Sequence, residues 1–293
     1  MGKKRIDWRK VAYLSAVIFL VLVIVVCVVM IAHKLITDAR DKQAYDEIQD
    51  LMASANSGQT RPTVPSAGTT TAPSSGATKP SGVIVDDPDD PSVPEEPVEG
   101  QMLPHLQVIY DINQDMVGWI EIPGTDVSYP VVQTPEDPNF YLRRDFTDKQ
   151  YATCGTIYVR ESCDVFEPSD NVTIYGHNMS NGTMFADLHG YEDKAFWQSH
   201  KEIWFDTLYE YHTYEVFAVF ISSAKLDEGA FPYHLFEDAD DQEEFDEFVA
   251  NCKELSLYDT GITPEFGDKL ITLSTCDKSI EEGRFVVVAR RVL

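Results

Sequence analysis

The pattern of apolar and polar positions changes three times along the chain, and each change predicts a different kind of structure. Val11 to Ala32 is a run of 22 residues without a charge, dominated by Val, Leu and Ile, long enough to cross a bilayer as a helix. Beyond it, Ile36, Ala39, Tyr45, Ile48 and Leu51 recur at helical spacing with charges between them, which predicts a short polar juxtamembrane helix over residues 33–52. From Ala53 the periodicity stops. Ala53–Ser81 is largely Ser, Thr, Pro, Ala and Gly, and Val83–Gly100 sets Asp86, Asp87, Asp89, Asp90, Glu95, Glu96 and Glu99 among prolines. So little apolar surface cannot offset the entropy of ordering, and residues 53–102 are expected to form a disordered, semi-extended tether.

Short β-branched and aromatic runs fill residues 103–293. A helix is expected over Pro104–Met116, with Leu106, Ile109 and Tyr110 on one face, and Val117–Gln133 reads as two strands around a Pro123-Gly124 turn. Further strands are predicted at Gly155–Arg160, Val172–Tyr175, Glu202–Phe205, Tyr211–Ser222, Lys269–Thr275 and Phe285–Val292. Eight short strands make this region mainly β, a barrel or sandwich and not a βαβ fold. Helical segments interrupt it at Met184–Leu188, Lys194–Ser199 and Ala239–Leu255. The last is amphipathic, with Phe245, Phe248, Val249 and Cys252 inward and Asp240, Asp241, Glu243, Glu244, Asp246 and Glu247 outward.

Charge adds an orientation. Lys3, Lys4, Arg5, Arg9 and Lys10 precede the apolar run, whereas the rest of the chain is acidic and the net charge is −26. The positive-inside rule then places residues 1–10 in the cytoplasm and everything beyond residue 32 outside, on a single-pass signal anchor at residues 11–32. A cleaved signal peptide fits less well, since the run is long and no small-x-small cleavage pattern closes it. Lipoprotein processing at Cys27 is disfavoured by Val26, where a small residue is needed. An acidic body also argues against nucleic-acid binding. Among the five cysteines, Cys27, Cys154, Cys163, Cys252 and Cys276, no pair has metal-binding spacing. Cys154 and Cys163 either bridge or stay as buried thiols.

The C-terminal run Leu270–Cys276, a polar turn and a second run from Gly283 to Arg290 suggest neighbouring strands, with a thiol closing one and Arg284 opening the other. A thiol attacks as thiolate, so it needs a nearby cation or imidazole, and Asp277 beside it sharpens that need. His33 borders the membrane, and His105, His189, His200, His212 and His234 sit in ordinary helical or strand-edge contexts. His177 follows a predicted strand and a Gly176 that permits a tight turn, so its ring should stand on a loop at a strand end. Taken singly, each of Cys276, His177 and Arg284 is as compatible with a core thiol, a structural loop imidazole or a surface ion-pair partner as with chemistry.

Together, Tyr175-Gly-His177-Asn, Thr272-Leu-Ser-Thr-Cys276 and Arg284 opening a Phe-Val-Val-Val strand resemble the sortases, the cysteine transpeptidases that anchor proteins to Gram-positive cell walls. The likeness extends from Leu103 to Leu293 and includes Gly118-Trp-Ile-Glu-Ile-Pro-Gly-Thr and Tyr129-Pro-Val-Val-Gln. The long helix before the catalytic strand and the helical N-terminal cap resemble class B. The resemblance implies an eight-stranded barrel with that helix between strands six and seven, and no cofactor or metal. It implies Cys276 as nucleophile on the threonine carbonyl of a C-terminal sorting pentapeptide, His177 as general acid, and Arg284 as oxyanion donor or substrate clamp. The thioester would pass to an amine of a peptidoglycan precursor or a pilin. Ser274, Thr275, Asp277, Asn139, Leu142, Tyr233 and Leu235 are the expected substrate contacts; Asn139 lies one position after the family's asparagine, where this chain has Pro138. Two other readings are a cysteine peptidase, with water as acceptor, and an extracellular binding module that has kept the fold and lost the activity.

Overall fold

Strands leave unpaired edges, and closing a sheet into a barrel removes them. The computed structural model describes residues 8–57, 61–62, 100–223, 231–279 and 281–293. Within these, the strands are β1 (Met116–Glu121), β2 (Ser128–Val132), β3 (Ile157–Val159), β4 (Asn171–Tyr175), β5 (Glu202–Thr207), β6 (Thr213–Ser223), β7 (Leu270–Asp277) and β8 (Gly283–Arg291). They close in the order β1-β2-β3-β4-β7-β8-β6-β5. Neighbours are antiparallel except β2 with β3 and β4 with β7, which run parallel. Ile120, Val131, Ile174, Leu273, Phe285 and Val287 are among the fully buried residues of the main core. Most of the tether expected at residues 53–102, and residues 1–7 of the basic segment, lie outside the described residues.

Among the described residues, four α-helices decorate the barrel: α1 (Trp8–Ala55), α2 (Pro104–Tyr110), α3 (Lys194–Ser199) and α4 (Gln242–Leu255). α4 connects β6 to β7 and builds a second apolar cluster, setting Phe245, Phe248, Val249 and Cys252 against Phe217 and Phe220 of β6 and Val286 and Val288 of β8. It begins at Gln242, later than the expected Ala239, because Asp241 caps it. The Asp241 carboxylate accepts the Glu244 N–H at 3.1 Å, and the Glu244 carboxylate reaches back to the Asp240 N–H at 2.9 Å. α2, expected to reach Met116, stops at Tyr110. Buried Asn113 turns its amide to the Tyr141 hydroxyl (2.7 Å) and the Phe146 carbonyl (2.8 Å), which ends the helix and frees Met116 to open β1.

With no Gly or Pro between Trp8 and Ala55, α1 runs unbroken for 48 residues, so the expected apolar and juxtamembrane helices form one rod. Its first half exposes Phe19, Leu22, Val29 and their apolar neighbours. Its second half buries Asp41, Tyr45, Ile48 and Met52, one stripe at three- and four-residue spacing, against the barrel. The Tyr45 hydroxyl donates to the Gly155 carbonyl at 2.7 Å and Gln49 donates to the Ser128 carbonyl at 2.7 Å. Arg61 docks as well. Its guanidinium bonds Asp206 at 2.5 Å and the His212 carbonyl at 2.7 Å, and lies 4.6 Å over the Trp204 ring. Packing against the barrel therefore starts well before Leu103, where the folded domain was expected to begin. Cys154 and Cys163 are both buried free thiols. Burial pushes the Cys163 thiol up to about 11, so it stays protonated.

Two stability outcomes follow from these contacts. Arg61→Ala strands the buried Asp206 carboxylate and should lower the unfolding free energy of the detergent-solubilised chain by roughly 3 kcal/mol; adding Asp206→Asn should recover most of that. His105 is buried beside Tyr211, and burial, with the Arg61 charge adding to it, lowers its pKa from 6.5 to about 4. The unfolded chain therefore takes up this proton first, so the stabilisation is whole above pH 6.5 and is lost as the pH falls toward 4. Unfolding free energies from denaturant titrations should show a slope approaching about 1.4 kcal/mol per pH unit in that window, flattened in His105→Phe.

Candidate active site

The parallel pairing of β4 with β7 decides the site. Tyr175 stands opposite Ser274, and the Gly176 N–H donates to the Ser274 carbonyl at 3.1 Å. Two residues further along the chain, His177 lies just past the end of β4, while Cys276 is still within β7. On the other side β7 pairs antiparallel with β8, which sets Cys276 directly opposite Arg284. The strand that carries the thiol thus lies between β4, whose chain runs on to His177, and β8, which carries Arg284. Every other residue of β7 is buried, whereas Cys276 is exposed. Gly176 is required here, since a Cβ would lie 2.6 Å from the Phe185 ring.

The His177 Nε2 lies 2.8 Å from the Leu142 carbonyl oxygen. A carbonyl only accepts, so Nε2 carries a proton and Nδ1 holds the lone pair of the neutral ring. Burial, more than the nearby charges of Arg143 and Arg284, lowers the pKa of His177, and the Leu142 carbonyl works against it by favouring the imidazolium. At neutral pH the ring is accordingly a base. Arg284 folds back on its own turn, one terminal nitrogen donating to the carbonyls of Glu282 (3.2 Å) and Gly283 (3.0 Å). Glu282, just before β8, has φ 52°.

His177, Cys276 and Arg284 line one open groove of about 380 Å³. Of the expected substrate contacts, Ser274, Thr275, Asn139, Leu142 and Tyr233 line the same groove, as does Pro138. Asp277 and Leu235 do not. The Asp277 carboxylate accepts from the Ser279 N–H at 2.7 Å, and Leu235 sits half exposed on the 3-10 turn Tyr233–Leu235. That turn is fastened from below. The Tyr233 hydroxyl bonds the Ser274 hydroxyl at 2.8 Å, buried Asn171 donates to the Phe236 carbonyl at 3.0 Å, and Arg160 pairs with Glu237 at 2.8 Å.

Sequence reading missed Tyr158, Arg160 and His234 in the groove lining. Alternation along β3 carried the signal for two of them: Ile157 and Val159 face the core, so Tyr158 and Arg160 face away from it. His189 and Asn178 were missed too. Asn178 donates to the Cys276 carbonyl at 3.0 Å and contacts His189 Nε2 at 2.9 Å. His189, Glu192 and Asp277 are the one group of metal-ligand residue types found close together among the described residues, and His189 Nδ1 is already bonded to Glu192 at 2.7 Å.

Comparisons with known proteins bear on the family and the fold. The Sortase domain family model matches residues 120–292. A sortase B of Listeria monocytogenes is 31% identical over 199 residues, 67% of this chain and 77% of that protein. The solved Staphylococcus aureus sortase B-substrate complex has the same fold, with a TM-score of 0.66 over 88% of this chain and 98% of that one at 23% identity. A sortase B complexed with triglycine has a TM-score of 0.58 and is 29% identical, covering 64% of this chain and 86% of its own.

Adding a methyl group at Gly176 should push Phe185 and the His177 backbone apart. Gly176→Ala is expected to cost about 1–3 kcal/mol of stability and to slow alkylation of Cys276 by iodoacetamide, read by site-resolved mass spectrometry.

Proposed function

The chain belongs to the sortase family of cysteine transpeptidases, and we propose that it is a membrane-anchored member that cleaves a C-terminal sorting pentapeptide after threonine and joins the acyl fragment to an amine. The observation that supports this reading is that His177, Cys276 and Arg284 line one groove, with Arg284 in register opposite Cys276.

The chemistry follows from the tautomer. Nδ1 of neutral His177 takes the thiol proton, and the Cys276 thiolate attacks the threonine carbonyl carbon. The Leu142 carbonyl holds the resulting imidazolium by accepting from Nε2. Arg284 supplies the positive charge for the tetrahedral oxyanion once its guanidinium leaves the turn carbonyls, or clamps the peptide backbone beside it. When the intermediate collapses, the C–N bond breaks, Nδ1 protonates the departing amine and a thioester remains on Cys276. The acceptor amine then attacks the thioester carbonyl. It gives its proton to Nδ1, the C–S bond breaks, and the thiolate recovers that proton. One amide is consumed and one is made.

Asn139, Leu142, Tyr233, Ser274 and Thr275 are the residues we assign to holding the pentapeptide. The acidic body of the chain favours a cationic or neutral acceptor, and an amine of a peptidoglycan precursor or a pilin has that character; the related sortase B complexed with triglycine supports a glycine amine. The long exposed apolar half of α1 supports a single-pass anchor, with the basic residues on the cytoplasmic side and the barrel outside. Secreted proteins bearing the pentapeptide would then meet the groove outside the cell.

The test uses full-length chain in detergent, fluorescence-quenched pentapeptides containing Thr, and triglycine. A ligated product containing triglycine is expected; hydrolysis that triglycine never diverts would mean a peptidase, and no acyl transfer to any peptide would mean a binding module. Cys276→Ala should form no thioester. His177→Ala and Arg284→Ala should each lose roughly 10²–10⁴-fold in kcat/KM with unchanged circular dichroism, and near-normal turnover would remove that residue from the mechanism.

A further inference from the structure

Behind the nucleophile lies a chain of hydrogen bonds that the mechanism above does not use. Glu192 bonds His189 Nδ1 at 2.7 Å, His189 Nε2 meets the Asn178 side-chain nitrogen at 2.9 Å, and that nitrogen donates to the Cys276 carbonyl at 3.0 Å. An amide nitrogen only donates, so it can approach Nε2 this closely only if Nε2 holds a lone pair. Nδ1 then carries the proton, directed at the Glu192 carboxylate. With the shorter Nε2 contact taken as the hydrogen bond, the carboxylate accepts from Nδ1–H, Nε2 accepts from one amide hydrogen, and the Cys276 carbonyl accepts from the other; Nε2 also lies 3.3 Å from that carbonyl oxygen, a longer contact that carries no hydrogen in this tautomer. The reversed amide would set its oxygen against the Cys276 carbonyl oxygen.

The placement of the chain suggests its use. Asn178 directly follows His177, and an isolated β-bridge to Met184 holds its backbone. The His189 ring stacks on Phe285 with centroids 4.6 Å apart, and Phe285 directly follows Arg284. The relay therefore ties together the three backbone segments that carry the imidazole, the thiol and the guanidinium. Parallel pairing has ended at Tyr175 and Ser274, so ladder hydrogen bonds no longer fix His177 against Cys276.

We propose that His189 is a positioning residue which, oriented by Glu192, locks the Asn178 amide onto the Cys276 carbonyl and so holds the thiol at working distance from the His177 imidazole. This rests on the transpeptidase reading of Cys276 and His177. Misplacing reacting groups by about 1 Å costs up to about 100-fold in rate, so losing the lock should act on kcat.

The test combines turnover of Thr-containing pentapeptides with triglycine and site-resolved alkylation of Cys276 by iodoacetamide, in the full-length detergent-solubilised chain. His189→Phe keeps a ring to stack on Phe285 but removes the acceptor. It should lower kcat roughly tenfold or more with KM within about twofold, and slow Cys276 alkylation several-fold. His189→Gln, which restores an acceptor, should regain part of the loss, and the half-exposed Glu192→Gln should show a smaller fall without risk to folding. Asn178→Ala should lose as much as His189→Phe, and the double variant should lose no more than either. Additive losses, or an unchanged kcat and alkylation rate in His189→Phe and Glu192→Gln, would overturn the relay. If no peptide is turned over by the parent chain but alkylation still falls in these variants, the transpeptidase reading fails and the relay stands.

Discussion

Everything distinctive about this molecule depends on two neighbours of β7 that run in opposite directions. Because β4 is parallel to β7, the chain leaves both strands at the same end of the barrel, and His177 emerges beside Cys276. Because β8 is antiparallel to β7, the chain must turn back at that end, and Arg284 is returned to a position opposite the thiol. Backbone hydrogen bonds thus bring together three side chains from distant parts of the sequence. A one-residue slip in either ladder would turn one of them to the other face of the sheet.

The remaining structure serves that end of the barrel. Leu142 belongs to a 3-10 turn, Phe140–Arg143, whose carbonyl sets the His177 tautomer. The segment around Tyr233 is held over the groove by Ser274, by the buried amide of Asn171 and by the Arg160–Glu237 pair. α4 covers β6 and β8 with Phe245 and Phe248, behind the turn that carries Arg284. At the opposite end of the sequence, α1 combines an exposed apolar half with a packed half. Whatever holds the first half therefore constrains where the groove points.

Much of this was legible in the sequence. The strands were readable because β-branched runs alternate with turn residues, and α4 because its apolar residues recur at helical spacing above an acidic face. The site triad was legible only as a combination, since Cys276, His177 and Arg284 each have an ordinary structural explanation alone. What could not be read is what depends on long-range contact. The packing of α1 through Tyr45, the docking of Arg61 on Asp206, and the early end of α2 at Asn113 are all decided by partners remote in sequence. His189 reads as an ordinary helical or strand-edge histidine, because its partners Asn178 and Cys276 are supplied by other elements. Asp277 was expected in the groove by adjacency to the thiol, yet its carboxylate is engaged by the Ser279 N–H of the following turn.

The central claim is that the His177 imidazole works beside the Cys276 thiol, just past the end of the β4–β7 pair, and a short bifunctional alkylator measures this directly. The full-length chain in detergent would be treated with 1,3-dibromoacetone, digested and mapped by mass spectrometry. The account predicts loss of both bromides and a three-carbon bridge joining the peptides that carry Cys276 and His177, absent in His177→Ala. Cys276 alkylated without a bridge, or bridged to a different residue, would contradict it.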